Sequence, residues 1–259
     1  MKYLGGKQRL GKHIQIKLHE IFEQNKLSGY MEPFCGSLGV MKHMTDLKTK
    51  KIIANDYHPD LIALWKAVQD DTFVYPKSIS EEEYLAAKQL ESPNAYKAFV
   101  GFGMSFGGRY FAAYSQKYLN GKKEDFCKEM VNSLKRIREK ISNVVFSNKD
   151  YKDLKPKNML IYCDPPYAYS KYPIKYRRDV KRYDVFDNAE FWEQVRKWSK
   201  NNIVLVSELT APDDFVEIWN YDVYRSAAQS DKTRFLGASE TRSVEKLFMH
   251  KSLVDKIKM

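Results

Sequence analysis

Five short apolar runs, each halted by a polar or turn-forming residue, limit this chain to few architectures: GYMEPF (29–34), KIIAND (51–56), VVFSN (144–148), MLIYCD (159–164) and IVLVSE (203–208). They read as continuous runs rather than as an alternation of apolar and polar residues, the pattern of strands buried on both faces. Helical periods lie between them: about 7–25, where Ile14, Leu18, Ile21 and Phe22 share a face, then 37–46, then 58–69 after His58-Pro59. Asp187 followed by Glu190 is a capping-box-like start for a helix over 187–200, in which Trp192 and Trp198 read as core. Alternation of this kind predicts an α/β fold, a mixed and mostly parallel sheet with helices on both faces.

One region breaks the alternation. Residues 70–142 contain no convincing strand but three helix candidates, at 80–91, 93–102 and 124–141, around the glycine- and aromatic-rich GMSFGGRYFAAYSQKYLNGKK. The expectation is a helical insertion at 70–142 in a domain built from 1–69 and 143–259. With 44 Lys and Arg against 33 Asp and Glu, the chain carries +11, which favours a polyanionic partner. No stretch approaches the roughly 20 apolar residues of a membrane span, and the N-terminus lacks the apolar core of a signal peptide. A cytoplasmic protein is expected. Cys35, Cys127 and Cys163 stand apart with no Cys/His cluster, so free thiols and no metal are expected.

The fourth run ends oddly, in Asp164-Pro165-Pro166-Tyr167. Proline donates no ladder hydrogen bond, so the strand must stop here. Either this is a plain turn, or it holds a carboxylate and an aromatic ring rigidly at the sheet edge. Gly36 and Gly39, after the first run, suit a tight turn where backbone approaches a ligand; the pattern lacks both the third glycine of a dinucleotide fingerprint and the lysine of a P-loop. Asp56 ends the second run, placed either for ribose hydroxyls or as the cap of the next helix. Lys7, in KYLGGK, is either a cation aimed at a ligand carboxylate or a solvated lysine.

KYLGGK, EPFCGSLG, Asn55-Asp56 and DPPY, in that order, resemble the Dam-type (alpha, D12 class) S-adenosylmethionine-dependent DNA N6-adenine methyltransferases. GFGMSFGGRYFAAY, FDNAEFW, VSELTAPDDF and VEKLFM are similar to a phage or prophage branch, and the resemblance spans Lys2 to about Phe248. It implies a Rossmann-like methyltransferase fold with target recognition in the helical insertion. It also implies a cofactor site of Tyr3, Lys7, Phe34, Gly36, Ser37, Gly39, Asp56, Asp150, Tyr151 and Asp164, with Lys7 on the methionine carboxylate, Asp56 on the ribose and Asp150-Tyr151 on the adenine. Tyr151 departs from the family, which usually has phenylalanine there. An asparagine-arginine-rich signature common in such enzymes is missing, so no target sequence carries over.

The chemistry implied for Asp164, Pro165, Pro166 and Tyr167 is amine methylation. The exocyclic amine of adenine is a poor nucleophile, and fixed acceptors, the Asp164 carboxylate and the Pro165 carbonyl, bias its nitrogen toward a more nucleophilic form. Tyr167 stacks on a base drawn out of duplex DNA. Beyond it, Lys171, Lys175, Arg177, Arg178, Lys181 and Arg182, interleaved with tyrosines, are expected to bind DNA, as is Arg109 at a base edge; the helix around Lys135, Arg136 and Arg138 is a further candidate. The readings to weigh are adenine N6 methylation, cytosine N4 methylation on the same scaffold, and a DNA-binding module without catalysis. The expected assembly is a monomer, a dimer being the alternative, with a role in restriction-modification or its evasion.

Overall fold

The computed structural model describes residues 1–116, 118–119, 122–166, 186–225 and 241–258. In chain order, α1 (Gly11–Gln24) leads to β1 (Gly29–Glu32), β2 (Ile52–Asn55) and α2 (Pro59–Gln69). Then come α3 (Glu81–Lys88), α4 (Ala95–Gly103), a hairpin of β3 (Tyr118–Leu119) and β4 (Lys122–Lys123), and α5 (Phe126–Arg138). The chain returns through β5 (Val144–Ser147), β6 (Met159–Cys163), α6 (Asn188–Ser199), β7 (Ile203–Ser207), β8 (Phe215–Arg225) and β9 (Thr241–His250). Seven strands form one sheet in the order β5-β2-β1-β6-β7-β9-β8. Neighbours from β5 to β7 pair parallel, while β9 runs antiparallel to β7 and β8. This is the mixed, mostly parallel α/β sheet expected from the apolar runs.

Period two decides which side chains meet which helices. Tyr30, Ile52, Leu160, Tyr162, Ile203 and Leu205 join one core with Ile14, Leu18 and Ile21 of α1 and with residues of α2 to α5. Met31, Met159, Ile161, Val204 and Val206 face the other way and pack on Phe191, Trp192, Val195 and Trp198 of α6. Both tryptophans are buried, as expected for core. Asp187 caps α6, its Oδ1 accepting the Glu190 N–H at 3.0 Å. Among the described residues no helix is long and apolar enough to cross a membrane.

Four expectations need correction. The helix expected at 37–46 is a run of turns with one 3-10 turn at Met41–His43, because Gly36 (φ 47°) and Leu38 (φ 57°) hold left-handed backbone that no α-helix accepts. α1 begins at Gly11 rather than near Lys7, leaving Lys7 in extended chain just before the turn at 8–10, its carbonyl accepting the Gly11 N–H at 2.7 Å. The 70–142 segment does hold strands, the two-residue β3 and β4, too short to leave a periodic signature. The long pair β8 and β9 lies outside the five runs expected as strands: SVEKLFMH and EIWNYDVY mix polar with apolar residues, as strands near a sheet edge do.

Candidate active site

Strand order reverses between β1 and β6, with β2 and β5 on one side and β7 on the other. In open α/β sheets the crevice at such a switch point, beyond the carboxyl ends of the strands, is where ligands bind. Glu32 and the 33–40 turn stand at the tip of β1; Asp164, a buried Pro165 and an exposed Pro166 stand at the tip of β6. Two motifs that begin at Glu32 and Asp164, far apart in sequence, thereby face one crevice.

The glycine turn is held from several directions. At Gly36 a Cβ would lie 3.2 Å from the Tyr3 ring, so backbone passes directly beneath that ring. The Gly36 N–H donates to Asp56 Oδ2 at 2.9 Å, and its carbonyl accepts from Trp65 Nε1 at 2.9 Å. At Gly39 a Cβ would come within 2.8 Å of the Lys7 carbonyl carbon, so the Lys7 segment lies on the turn. Gln8 fastens it there, Nε2 donating to the Ser37 carbonyl at 2.7 Å and to Ser37 Oγ at 3.1 Å.

Asp56 clamps the turn rather than capping α2. Its Oδ1 accepts the His58 N–H at 2.9 Å, while the cap of α2 is His58, which accepts from Leu61. Burial raises the Asp56 carboxyl above its ordinary value, opposed by the amides of His58, Gly36 and Tyr57. Asn55, singled out only as a strand end, ties three strand tips together: Nδ2 donates to the carbonyls of Pro33 and Lys149 at 3.0 Å each, and Oδ1 accepts the Lys149 N–H at 3.1 Å. Its signal in the sequence was a polar residue in a strand otherwise wholly apolar.

Beyond β5, Asp150 caps a 3-10 turn over Tyr151–Asp153, its Oδ1 accepting the Lys152 N–H at 2.9 Å. The Tyr151 ring lies against Phe34 at 5.3 Å, Phe186 at 5.8 Å and Phe191 at 5.9 Å between centroids. Phe186 completes this aromatic wall and was not anticipated. Burial pushes the Tyr151 hydroxyl well up, with Glu190, Asp150 and Asp187 adding to it, so the ring stays neutral.

Lys7 is the electrostatic centre. Its side chain is only 8% exposed, and Nζ lies 2.8 Å from Asp164 Oδ1 and 3.4 Å from Glu245 Oε1. Burial opposes its charge, but the two carboxylates outweigh that and leave its pKa above the ordinary lysine value. Glu32, buried beside them, accepts from the Tyr30 hydroxyl at 2.7 Å. Burial pushes its carboxyl well above the usual range; the Tyr30 bond opposes this and the Asp164 charge adds to it. Neither Glu32 nor Glu245 was singled out in the sequence.

The donor set fits a nucleoside bearing an amino-acid tail. The turn under Tyr3 would let backbone approach such a group, a pinned carboxylate stands at the tip of β2, an aromatic wall follows β5, and a buried ammonium meets the tip of β6. Arg109 is half-buried on the glycine-rich turn after α4, whose Gly108 carbonyl accepts the Leu4 N–H at 3.3 Å. Arg138 pairs with Asp71 at 2.8 Å and Lys135 lies over the Tyr75 ring at 5.4 Å, so both make internal contacts. Tyr167, Lys171, Lys175, Arg177, Arg178, Lys181 and Arg182 lie outside the described residues. All three cysteines are free thiols, and no group of three or more potential metal ligands occurs among the described residues.

Residues 3–102 match the model of the D12 class N6 adenine-specific DNA methyltransferase family. No curated protein matches the chain. Among solved structures, precorrin 8W decarboxylase of Methanobacterium thermoautotrophicum is similar at a TM-score of 0.41 and 10% identity, over 92% of this chain and 89% of that one. The rRNA methyltransferase aviRa of Streptomyces viridochromogenes is similar at 0.41 and 12% identity, over 96% and 87%. The family match takes in Tyr3, Lys7, the glycine turn and Asp56, and with it the activity of this chain is methylation of adenine N6 in DNA, with S-adenosylmethionine as methyl donor.

Proposed function

We propose that this adenine methyltransferase takes its target base out of duplex DNA and holds the amine at Asp164. One observation carries the assignment of roles: the carboxylate that ends β6 before two prolines sits across the switch-point crevice from the glycine turn, 2.8 Å from the buried ammonium of Lys7. S-adenosylmethionine, when bound, supplies an electrophilic methyl group. Tyr3, Phe34, Gly36, Ser37, Gly39, Asp56, Asp150 and Tyr151 hold it, and Lys7 meets its carboxylate. Asp164 and the Pro165 carbonyl accept the amine hydrogens, which draws the nitrogen lone pair out of conjugation and aims it. Two prolines set both acceptors beforehand, so little reorganisation remains at the moment of transfer. Tyr167 stacks on the extruded base, a contact of about 1–3 kcal/mol. Helices α3 to α5, within 70–142, present Arg109 to the duplex, and the basic residues of 171–182 bind its phosphates. The +11 charge supports that partner. The protein works in the cytoplasm as a monomer without metal, on the phage-like branch, in restriction-modification or its evasion.

Asp164→Ala tests the assignment. Methyl transfer is expected to fall by two to three orders of magnitude, the loss of a preorganised electrostatic group worth about 3–4 kcal/mol, while DNA and cofactor still bind. Near wild-type turnover removes Asp164 from the role. Product analysis by mass spectrometry is expected to give N6-methyladenine; N4-methylcytosine would transfer the same chemistry to the other base.

A further inference from the structure

Glu245 lies far outside the segment matched to the family, in a strand that the sequence did not betray. β9 runs antiparallel to β7, with Ser207 opposite Leu247. Glu245, two residues before Leu247, is therefore carried past the end of β7 toward the tip of β6. Period two puts it on the same face as Leu247 and Met249, both fully buried. A carboxylate in such a stripe is costly unless paired, and Lys7 at 3.4 Å is one partner of it.

That distance is longer than a charge-assisted N–H···O bond, whereas the same ammonium is 2.8 Å from Asp164. Lys7 leans on the residue that must receive the target amine. We propose that Glu245 is a positioning residue that takes over the Lys7 ammonium when Asp164 engages the adenine amine. A shift of a few tenths of an ångström tightens the existing Nζ–Glu245 contact and frees acceptor capacity on Asp164, with no net charge moved into or out of the pocket. Without Glu245 the ammonium, one of whose three donors serves the cofactor carboxylate, closes on Asp164 and competes with the substrate for it. The inference rests on the proposed role of Asp164 in amine capture.

The test is Glu245→Gln, which keeps shape and removes charge, with Glu245→Asp beside it. Three quantities are read on each: single-turnover methyl transfer, affinity for S-adenosylhomocysteine by calorimetry, and affinity for duplex DNA by anisotropy. Glu245→Gln is expected to slow transfer about tenfold or more, the weight of one buried charged contact, with both affinities within about threefold of wild type; Glu245→Asp recovers part of the rate. Parallel loss of rate, both affinities and melting temperature marks a purely structural role and overturns the inference. So does an unchanged rate, and so does failure of both variants to fold. Wild-type protein that binds both ligands but transfers no methyl group defeats the functional reading itself, and the inference with it.

Discussion

Asp60 should uncouple DNA binding from cofactor binding when it is removed. It sits in the first turn of α2 and is almost fully buried. Its Oδ1 accepts the Asn94 N–H at 2.7 Å; its Oδ2 accepts the hydroxyls of Ser92 at 2.9 Å and of Tyr110 at 2.6 Å. One carboxylate thus fixes the start of α4 and the residue next to Arg109 to the helix that begins beside Asp56. Hydrogen bonds to a charged group are worth about 1.5–3 kcal/mol each. Asp60→Ala breaks three of them but also returns the cost of burying a carboxylate, several kcal/mol by itself. The balance is a destabilisation of about 3 kcal/mol, and about 2 kcal/mol for Asp60→Asn, which keeps an acceptor but turns an N–H toward a donor. Urea titration reads the stability. Anisotropy on a short duplex is expected to show DNA affinity falling at least tenfold, about 1.4 kcal/mol, while calorimetry with S-adenosylhomocysteine shows little change. Asp60→Ala within about 0.5 kcal/mol of wild type, the range of ordinary surface substitutions, refutes the reasoning; so does an equal loss of both affinities.

Two further outcomes follow from the same surroundings. His58 is half-buried against Phe102 and Tyr110, and desolvation of its ring depresses its pKa to about 4, with Asp60 pulling up and Lys97 down. The folded state refuses a proton that the unfolded chain accepts below about 6.5, so stability is lost as pH falls from there toward 4. The loss is about 3 kcal/mol; His58→Asn keeps a capping oxygen, and its urea midpoint should fall correspondingly less over that window, equal slopes counting against the assignment. Trp65→Phe leaves the Gly36 carbonyl without its indole donor; a loss of about 1–3 kcal/mol and weaker S-adenosylhomocysteine binding are expected, and unchanged values for both would show the turn to be held without that bond.

How much of this was legible beforehand differs from element to element. Four of the five parallel strands are legible as continuous apolar runs because burial on both faces favours that composition; β5, at the sheet edge with Val145 exposed, is apolar on its wet face as well. α6 was found from Asp187 and Glu190 because a cap is a local hydrogen bond, satisfied within four residues. The stretch 37–46 was misread: its apolar spacing suits a helix, but the left-handed turn at Gly36 and Leu38 is imposed by Asp56, Trp65 and Tyr3, none of which is local. β8 and β9 were missed because one wet face dilutes their apolar signal.

The order of amino acids by itself determined where backbone could turn tightly, where a strand had to end, and which charged residues stood at those ends: Lys7, Asp56 and Asp164. Tertiary structure alone decided that Lys7 leans on Asp164, that Asn55 fastens three loops, and that Glu32 and Glu245 join the same pocket. The reason is physical. Propensity, capping and proline act over a few residues, whereas the charge balance of a buried site is set by whichever strand tips the sheet order brings together, and that order is fixed by the burial of both faces at once.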